Sequence, residues 1–348
     1  MILNFAYYKT YYNCMKKIFI QRIKAFLIST TLYKRYLAYK NRERYIHYGN
    51  EYPDKTFYVI GQDDQVGGMW WLINKAVMHI AYANEKGYIP VVDLQNFKTQ
   101  YSNDEIFGKV NIWEYYLDQP CGFSLDKNGK SPHDISHAQN IIICKKEPAP
   151  FPKFYMGNTD FYENSERLDY FRSIFKQYIH FNSQTINYFE SQKERLFRGR
   201  KMCGVLCRGT DYLAQKPKGH PIQPNPEDVI IDTKSVMNEL GCDGVFLATE
   251  DLDILNLFIK AFGDKLSYID QPRLSKKDIN SGELLANSKK RLNKITSSYE
   301  DGLQYLVSTY LLSQCNCFLS GKTGGCKGVL LMTASFEYYK VYNLGFYE

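Results

Sequence analysis

The chain has 348 residues, 44 Lys and Arg against 37 Asp and Glu, and 44% hydrophobic content. At about 150 residues per domain that is room for two cored domains. Aromatics at 16% and charge at 23% exclude a disordered or low-complexity chain. The net charge of +7 suggests a nucleic-acid partner until it is divided along the chain. Residues 1–50 hold ten cations (Lys9, Lys16, Lys17, Arg22, Lys24, Lys34, Arg35, Lys40, Arg42 and Arg44) and one acid, Glu43, which leaves residues 51–348 at −2. A near-neutral body argues against nucleic acid. The surplus belongs to a basic arm, residues 1–50.

In that arm Ile18, Ile23, Phe26 and Leu27 recur near helical spacing between cations. The pattern predicts an amphipathic helical arm on an anionic membrane surface; a helix packed on the body, or a disordered arm, would read the same way. The apolar stretch Ala25–Tyr33 is shorter than the roughly 20 residues a bilayer demands. No secretion signal opens the chain. Nine cysteines, an odd number without repeating spacing, read as the free, mostly buried thiols of a reducing cytoplasm. The expected location is cytoplasmic, peripheral at the inner face of the membrane.

After Pro53 the pattern becomes strand–helix alternation. Lys55–Gly61 reads as a buried strand, Met69–Glu85 as a long helix after Gly67 and Gly68, and Tyr88–Leu94 as a second strand. One further strand falls at Asn140–Lys146, and a single helical tract runs from Asn164 to about Phe197. A cleaner series follows: strand Met202–Gly209, helix Pro226–Leu240, strand Gly244–Glu250, helix Asp251–Phe262, strand Leu266–Asp270, helix Ser298–Gln314, strand Cys315–Gly321 and a short helix to Leu331. Pro226 with Glu227 and Asp228 marks a helix start. The expectation is α/β: two Rossmann-like, doubly wound domains facing a cleft, residues 51–200 on the acceptor side and 201–348 binding the nucleotide.

Ligands of open α/β sheets bind at the carboxyl ends of strands, so four turns carry the functional expectation. In the first, Arg208 follows the strand, with Gly209, Thr210 and Asp211 behind it; a guanidinium there can grip a phosphate with two bonds, or pair with Asp211 to hold the turn. The second is Thr249-Glu250-Asp251, where Asp251 and Asp253 invite a metal reading. Both acids open a helix, and capping accounts for them without a cation. The third is Ser320-Gly321-Lys322-Thr323-Gly324-Gly325, between a strand and a helix. It suits an anion cradle of backbone N–H groups. It is not a Walker A loop, because the glycine due five residues before Gly321 is Asn316. The fourth is the Gly67–Gly68 turn, where two glycines allow close approach of a ligand. The histidines form no metal set: His79 reads as structural, and only His220, just past the Arg208 turn, is held as a site residue.

These pieces, in this order, resemble the fucosyltransferase superfamily, the α-1,2, α-1,6 and protein O-fucosyltransferases. Its His-x-Arg-x-Gly/Thr-Asp signature is matched by Leu206-Cys207-Arg208-Gly209-Thr210-Asp211. His220-Pro221-Ile222, Leu247-Ala248-Thr249-Glu250-Asp251, and Leu312-Ser313-Gln314-Cys315-Asn316 with the loop 320–325 match later motifs. In the first half Gly67-Gly68, Val91–Asp93 and Asn111–Glu114 are similar to family positions. The resemblance spans about residues 55–340 and implies a GT-B-like enzyme transferring fucose from GDP-fucose, with inversion and without metal or other cofactor, to a surface polysaccharide or oligosaccharide.

Residue by residue, the resemblance implies that Arg208 neutralises the β-phosphate, Thr323 and its neighbouring amides hold the diphosphate, and Asp211 orders the Arg208 turn or faces the sugar. The signature histidine is Leu206 here, the aspartate that contacts guanine falls at Ser308, and the base position of the α-1,6 enzymes at Lys216. Asp211, Asp64 and Glu114 are the candidate bases for the acceptor hydroxyl. The implied partners are a nucleotide-sugar donor, a glycan acceptor that a lipid can carry, and the membrane surface. Nucleic acid is not among them. The competing readings are a transferase of another nucleotide sugar and a non-catalytic nucleotide- or glycan-binding module.

Overall fold

The computed structural model describes residues 30–61, 67–103, 105–125, 133–144, 152–157, 161–209, 212, 215–278 and 298–348. Two sheets organise them. The first has the order β1 (Arg44–Ile46), β4 (Ala138–Ile143), β2 (Glu51–Gly61), β3 (Ile89–Asp93); its members are parallel except β1, which runs antiparallel to β4. The second is wholly parallel, in the order β7 (Leu266–Ser267), β6 (Gly244–Ala248), β5 (Met202–Leu206), β8 (Cys317–Gly321), β9 (Tyr338–Tyr342). From β5 the chain winds outward through β6 and β7, then returns to the other side of β5 for β8. The strand order reverses between β5 and β8, and such a switch point opens a crevice at the carboxyl ends of both strands.

The helices are α1 (Thr31–Lys40), α2 (Met69–Glu85), α3 (Ser165–Tyr178), α4 (Ser183–Phe197), α5 (Pro226–Leu240), α6 (Leu252–Phe262), α7 (Ser298–Ser313) and α8 (Gly324–Met332). Strand periodicity distributes the core. On β5, Cys203 and Val205 face the layer formed with α5 and α6, whereas Met202 and Leu206 face the opposite side. On β2, Phe57 and Val59 point outward, while Tyr58 and Ile60 turn to the same inner layer as Leu206. That layer holds α2, α3, α7 and α8, and its side chains form one continuous apolar cluster between the sheets. Parallel strands covered on both faces need such apolar runs.

Helix α2 is the centre of this layer. Trp70, fully buried, donates from Nε1 to Thr309 Oγ1 on α7 at 2.7 Å, and its ring lies over Gly328 of α8, where an added Cβ would come within 2.4 Å. Asn74 Nδ2 donates to Gly324 O at 3.1 Å. The two halves therefore meet through packed helices, and the α2 N-terminus is carried to the second sheet's switch point.

Three features differ from the sequence expectation. The tract 164–197 is two helices: Phe181 bridges to Leu117, and Asn182 caps α4 by accepting the Thr185 N–H. Residues 44–46, counted in the arm, form the edge strand β1. Strand β9 was not anticipated; its outer residues Tyr338 and Tyr339 are exposed, and Lys340 and Tyr342 both bond Asp232 of α5. Residues 1–29, with the expected Ile18–Leu27 face, lie outside the described residues. Among the described residues no helix is long and apolar enough to cross a membrane, and eight cysteines are free, all but Cys121 buried.

Candidate functional site at the switch point

Strand pairing brings three of the expected turns side by side. Leu206 is in register with Ala248 on one side and Ser320 on the other, so Arg208, Glu250 and the 320–325 loop leave the sheet at one edge. Gly209 locks the first turn to the second. Its N–H donates to Glu250 Oε1 at 3.1 Å, and a Cβ there would lie 2.3 Å from Asp251 Oδ2. Asp251 is fully buried and caps α6, accepting the Asp253 N–H at 2.8 Å and the Ile254 N–H at 3.0 Å, as the capping reading expects. Thr249 is buried behind it; its hydroxyl accepts the Asp251 N–H and its carbonyl accepts from Arg273 Nε. Arg273 is thereby a buried brace of this turn that the sequence did not single out.

The third turn opens α8. Thr323 is its N-cap, the hydroxyl accepting the Cys326 N–H at 3.0 Å. That bond leaves the Thr323 proton to donate elsewhere, and Gly324 and Gly325 form the helix's first turn, where backbone N–H groups favour an anion. Ser320 is buried and its hydroxyl donates to Gly321 O, so it supports the loop rather than lining it. Lys322 is also buried: Nζ reaches Glu163 at 3.4 Å and lies over the Tyr162 ring, turned toward the segment 161–164. Tyr162 in turn donates to Thr323 O at 3.0 Å. One turn into α8, Lys327 is buried and donates to Met156 O at 2.8 Å, and burial lowers its pKa to about 8.

The fourth turn arrives from the first half. Gly67 O accepts from Gln100 Nε2, and Gly68 starts α2 beside Tyr305 of α7. Tyr305 joins all four turns. Its hydroxyl accepts the Gly325 N–H, Arg208 and Glu250 both act on it electrostatically, and its Cε1 is 3.5 Å from the position of a Gly68 Cβ. Burial raises its pKa to about 12 although Arg208 opposes that rise. The Arg208 guanidinium stacks 4.3 Å from the Tyr212 ring centre, and the Tyr212 hydroxyl shares a 2.9 Å hydrogen bond with His220 Nδ1. Such stacking orients a guanidinium without consuming its donors. Tyr212 and Tyr305 were missed by sequence reasoning; an aromatic one turn from Ser308 on a site-facing helix was the available signal.

Other expected residues fall elsewhere. Ser308 is buried and its hydroxyl donates to Gln304 O within α7, so its proton is taken up inside the helix. Leu206 is an inward-facing core residue against the α8 start. Glu114, a candidate base, receives bonds from Asn111 Nδ2 and Gln119 Nε2 at the end of β3 and is a structural carboxylate there. Lys216 is exposed. His79 is buried against the Tyr58 hydroxyl and held down to about 3 by burial, a structural histidine as expected. Thr210, Asp211 and Asp64 lie outside the described residues.

An edge that offers a stacked arginine, a tyrosine hydroxyl and two helix N-termini, set in a parallel α/β sheet, has the chemistry to receive an anion. No family model and no curated protein matches the chain. Solved structures similar to it include fucosyltransferases and GDP-fucose complexes. The NodZ fucosyltransferase from Bradyrhizobium aligns at 14% identity over 79% of this chain and 92% of its own, with a TM-score of 0.43. NodZ alpha-1,6-fucosyltransferase soaked with GDP-fucose aligns at 14% over 80% and 93%, at 0.44. POFUT1 in complex with GDP-fucose aligns at 9% over 84% and 99%, at 0.44.

Proposed function

We propose that the chain is an inverting, metal-independent glycosyltransferase that moves a sugar, most specifically fucose from GDP-fucose, onto a surface glycan. The observation that supports it is the meeting of Arg208 and the 320–325 loop across the β5–β8 switch point, with the α2 and α8 N-termini beside Tyr305. A diphosphate leaving group develops charge as the bond from the sugar C1 to its oxygen breaks. Arg208 and the positive end of α8 would take up that charge, a stabilisation aimed at the transition state. The acceptor oxygen forms the new bond to C1 from the opposite face, and its proton passes to a base, for which Asp211 is the candidate in this reading. His220, through Tyr212, would steady Arg208.

A second reading within the class is favoured by Leu206 and Ser308. With an apolar side chain at one position and an internally bonded hydroxyl at the other, the base of the donor would be another than guanine. The basic arm would hold the enzyme at the inner membrane face, where a lipid-linked acceptor is within reach.

The test is turnover of a panel of nucleotide sugars, with and without a chelator, for the wild type and Arg208→Ala. The expected result is one preferred donor, indifference to chelator and a loss of at least about a hundredfold in the variant. Inactivity on every donor overturns the transferase reading. Loss of activity with chelator overturns the metal-free mechanism, and an unimpaired variant removes Arg208 from the site.

A further inference from the structure

We infer that Tyr305 is a direct ligand of the diphosphate, its hydroxyl donating to the distal phosphate beside Arg208. This rests on the diphosphate-binding reading above and adds to it a residue that no motif supplied. Four observations locate it. The Tyr305 oxygen accepts the Gly325 N–H, at the anion-attracting end of α8. Arg208 and Glu250, from the two strand ends on either side of the switch, both lie within electrostatic reach of it. The ring reaches across to Gly68 at the start of α2. The side chain is half-buried rather than sealed in the core.

The hydrogen bonding then dictates direction. A phenol offers one proton and two lone pairs. With one lone pair occupied by the Gly325 N–H, the proton is the group left for a ligand, which must then be an acceptor. The charge of Arg208 and the N-terminal end of α8 favour an anionic acceptor there. The phenol stays protonated at neutral pH, since burial carries its pKa to about 12. Accepting an N–H also polarises the O–H and strengthens its donation. A second tyrosine repeats the device at α2, where the buried Tyr101 hydroxyl accepts the Met69 N–H at 2.8 Å. Of these two, Tyr305 is the one within electrostatic reach of Arg208, so the charge of the terminal phosphate is assigned there.

Tyr305→Phe keeps the ring packing and removes only the hydroxyl. Isothermal titration of the wild type and this variant with GDP and with GMP separates the outcomes, with thermal melting as the check on folding. The expected result is about a tenfold to hundredfold weaker GDP binding, the scale of one hydrogen bond to a charged group, with GMP affinity unchanged and one cooperative melt, lowered only by the cost of the unmet Gly325 N–H. Equal GDP affinity in the two proteins overturns the role of Tyr305 and leaves the diphosphate site standing. Equal losses for GDP and GMP also overturn it, because the hydroxyl would then act only by shaping the loop. A wild type that takes up no GDP overturns the GDP-sugar reading and this inference with it.

Discussion

The Gly209 N–H and the Glu250 carboxylate are joined by a 3.1 Å hydrogen bond that ties the end of β5 to the end of β6. This bond sets the height at which Arg208 leaves the sheet. Glu250→Ala is expected to cost about 1–2 kcal/mol in urea unfolding, the penalty of an unmet backbone donor, and to lower donor turnover at least about tenfold. Glu250→Gln keeps an oxygen acceptor and restores most of both. Gly209→Ala forces a methyl group against Asp251 Oδ2 and Ile254 Cδ1, and overpacking of that kind costs about 1–3 kcal/mol. Wild-type stability and turnover in all three variants would show that the turn is not held in this way.

The shared layer of α2, α7 and α8 makes a prediction about cooperativity. Because Trp70 of the first half is buried on α7 and α8 of the second, residues 201–348 expressed alone would expose the faces that α2 covers. The isolated half is expected to aggregate or remain molten, while the full chain unfolds in one transition. Trp70→Ala should lower stability by about 3–5 kcal/mol. Gly328→Ala, whose methyl would strike the Trp70 ring, should cost about 1–3 kcal/mol. Two separate transitions, or a stable fragment with native near-ultraviolet dichroism, would contradict the continuous core.

Lys327 gives the fold a pH dependence of definite sign. Burial lowers its pKa from the ordinary 10.5 to about 8. Between those values the unfolded chain binds more protons than the folded one, so stability rises with pH across the window. The penalty is complete below about 8 and gone above about 10.5. Urea unfolding of wild type and Lys327→Met from pH 7.5 to 10.5 isolates the effect, since other groups titrate alike in both. The wild type is expected to gain up to about 3 kcal/mol over the variant on going up the window. Parallel pH profiles would refute it.

The strand and helix succession was legible wherever a periodic apolar pattern met a clear stop. Pro226–Leu240 and Met69–Glu85 are found with the expected bounds, since a proline start, a glycine stop or a glycine pair frames each. The break at Ile179–Asn182 was not legible, because an amphipathic rhythm continues across it and only the Asn182 cap interrupts it. Strand β9 escaped because an edge strand with exposed tyrosines lacks the buried run of a central one. The glycine-bearing turns were legible as turns, and register then brought them together. The directions of Lys322 and Ser320 and the focus at Tyr305 were not legible, since they depend on which helix covers the switch point, a property of packing between halves.

The arm, residues 1–50, carries the chain's surplus of positive charge. Strand β1 begins at Arg44 and pairs with β4, so a deletion reaching residue 44 would damage the first sheet along with any tether. Deleting residues 1–29 avoids this and removes Lys9, Lys16, Lys17, Arg22 and Lys24, half of the arm's cations. Near an anionic surface each cation is worth about 1 kcal/mol, and the attraction is screened by salt. The full chain is expected to sediment with phosphatidylserine vesicles at low salt, to be released as salt is raised, and to ignore phosphatidylcholine vesicles. The truncated chain should stay in the supernatant with its melting temperature and donor turnover intact, because every residue assigned to the switch-point site lies after residue 29. If it sediments as the full chain does, the surplus of positive charge is not a membrane tether.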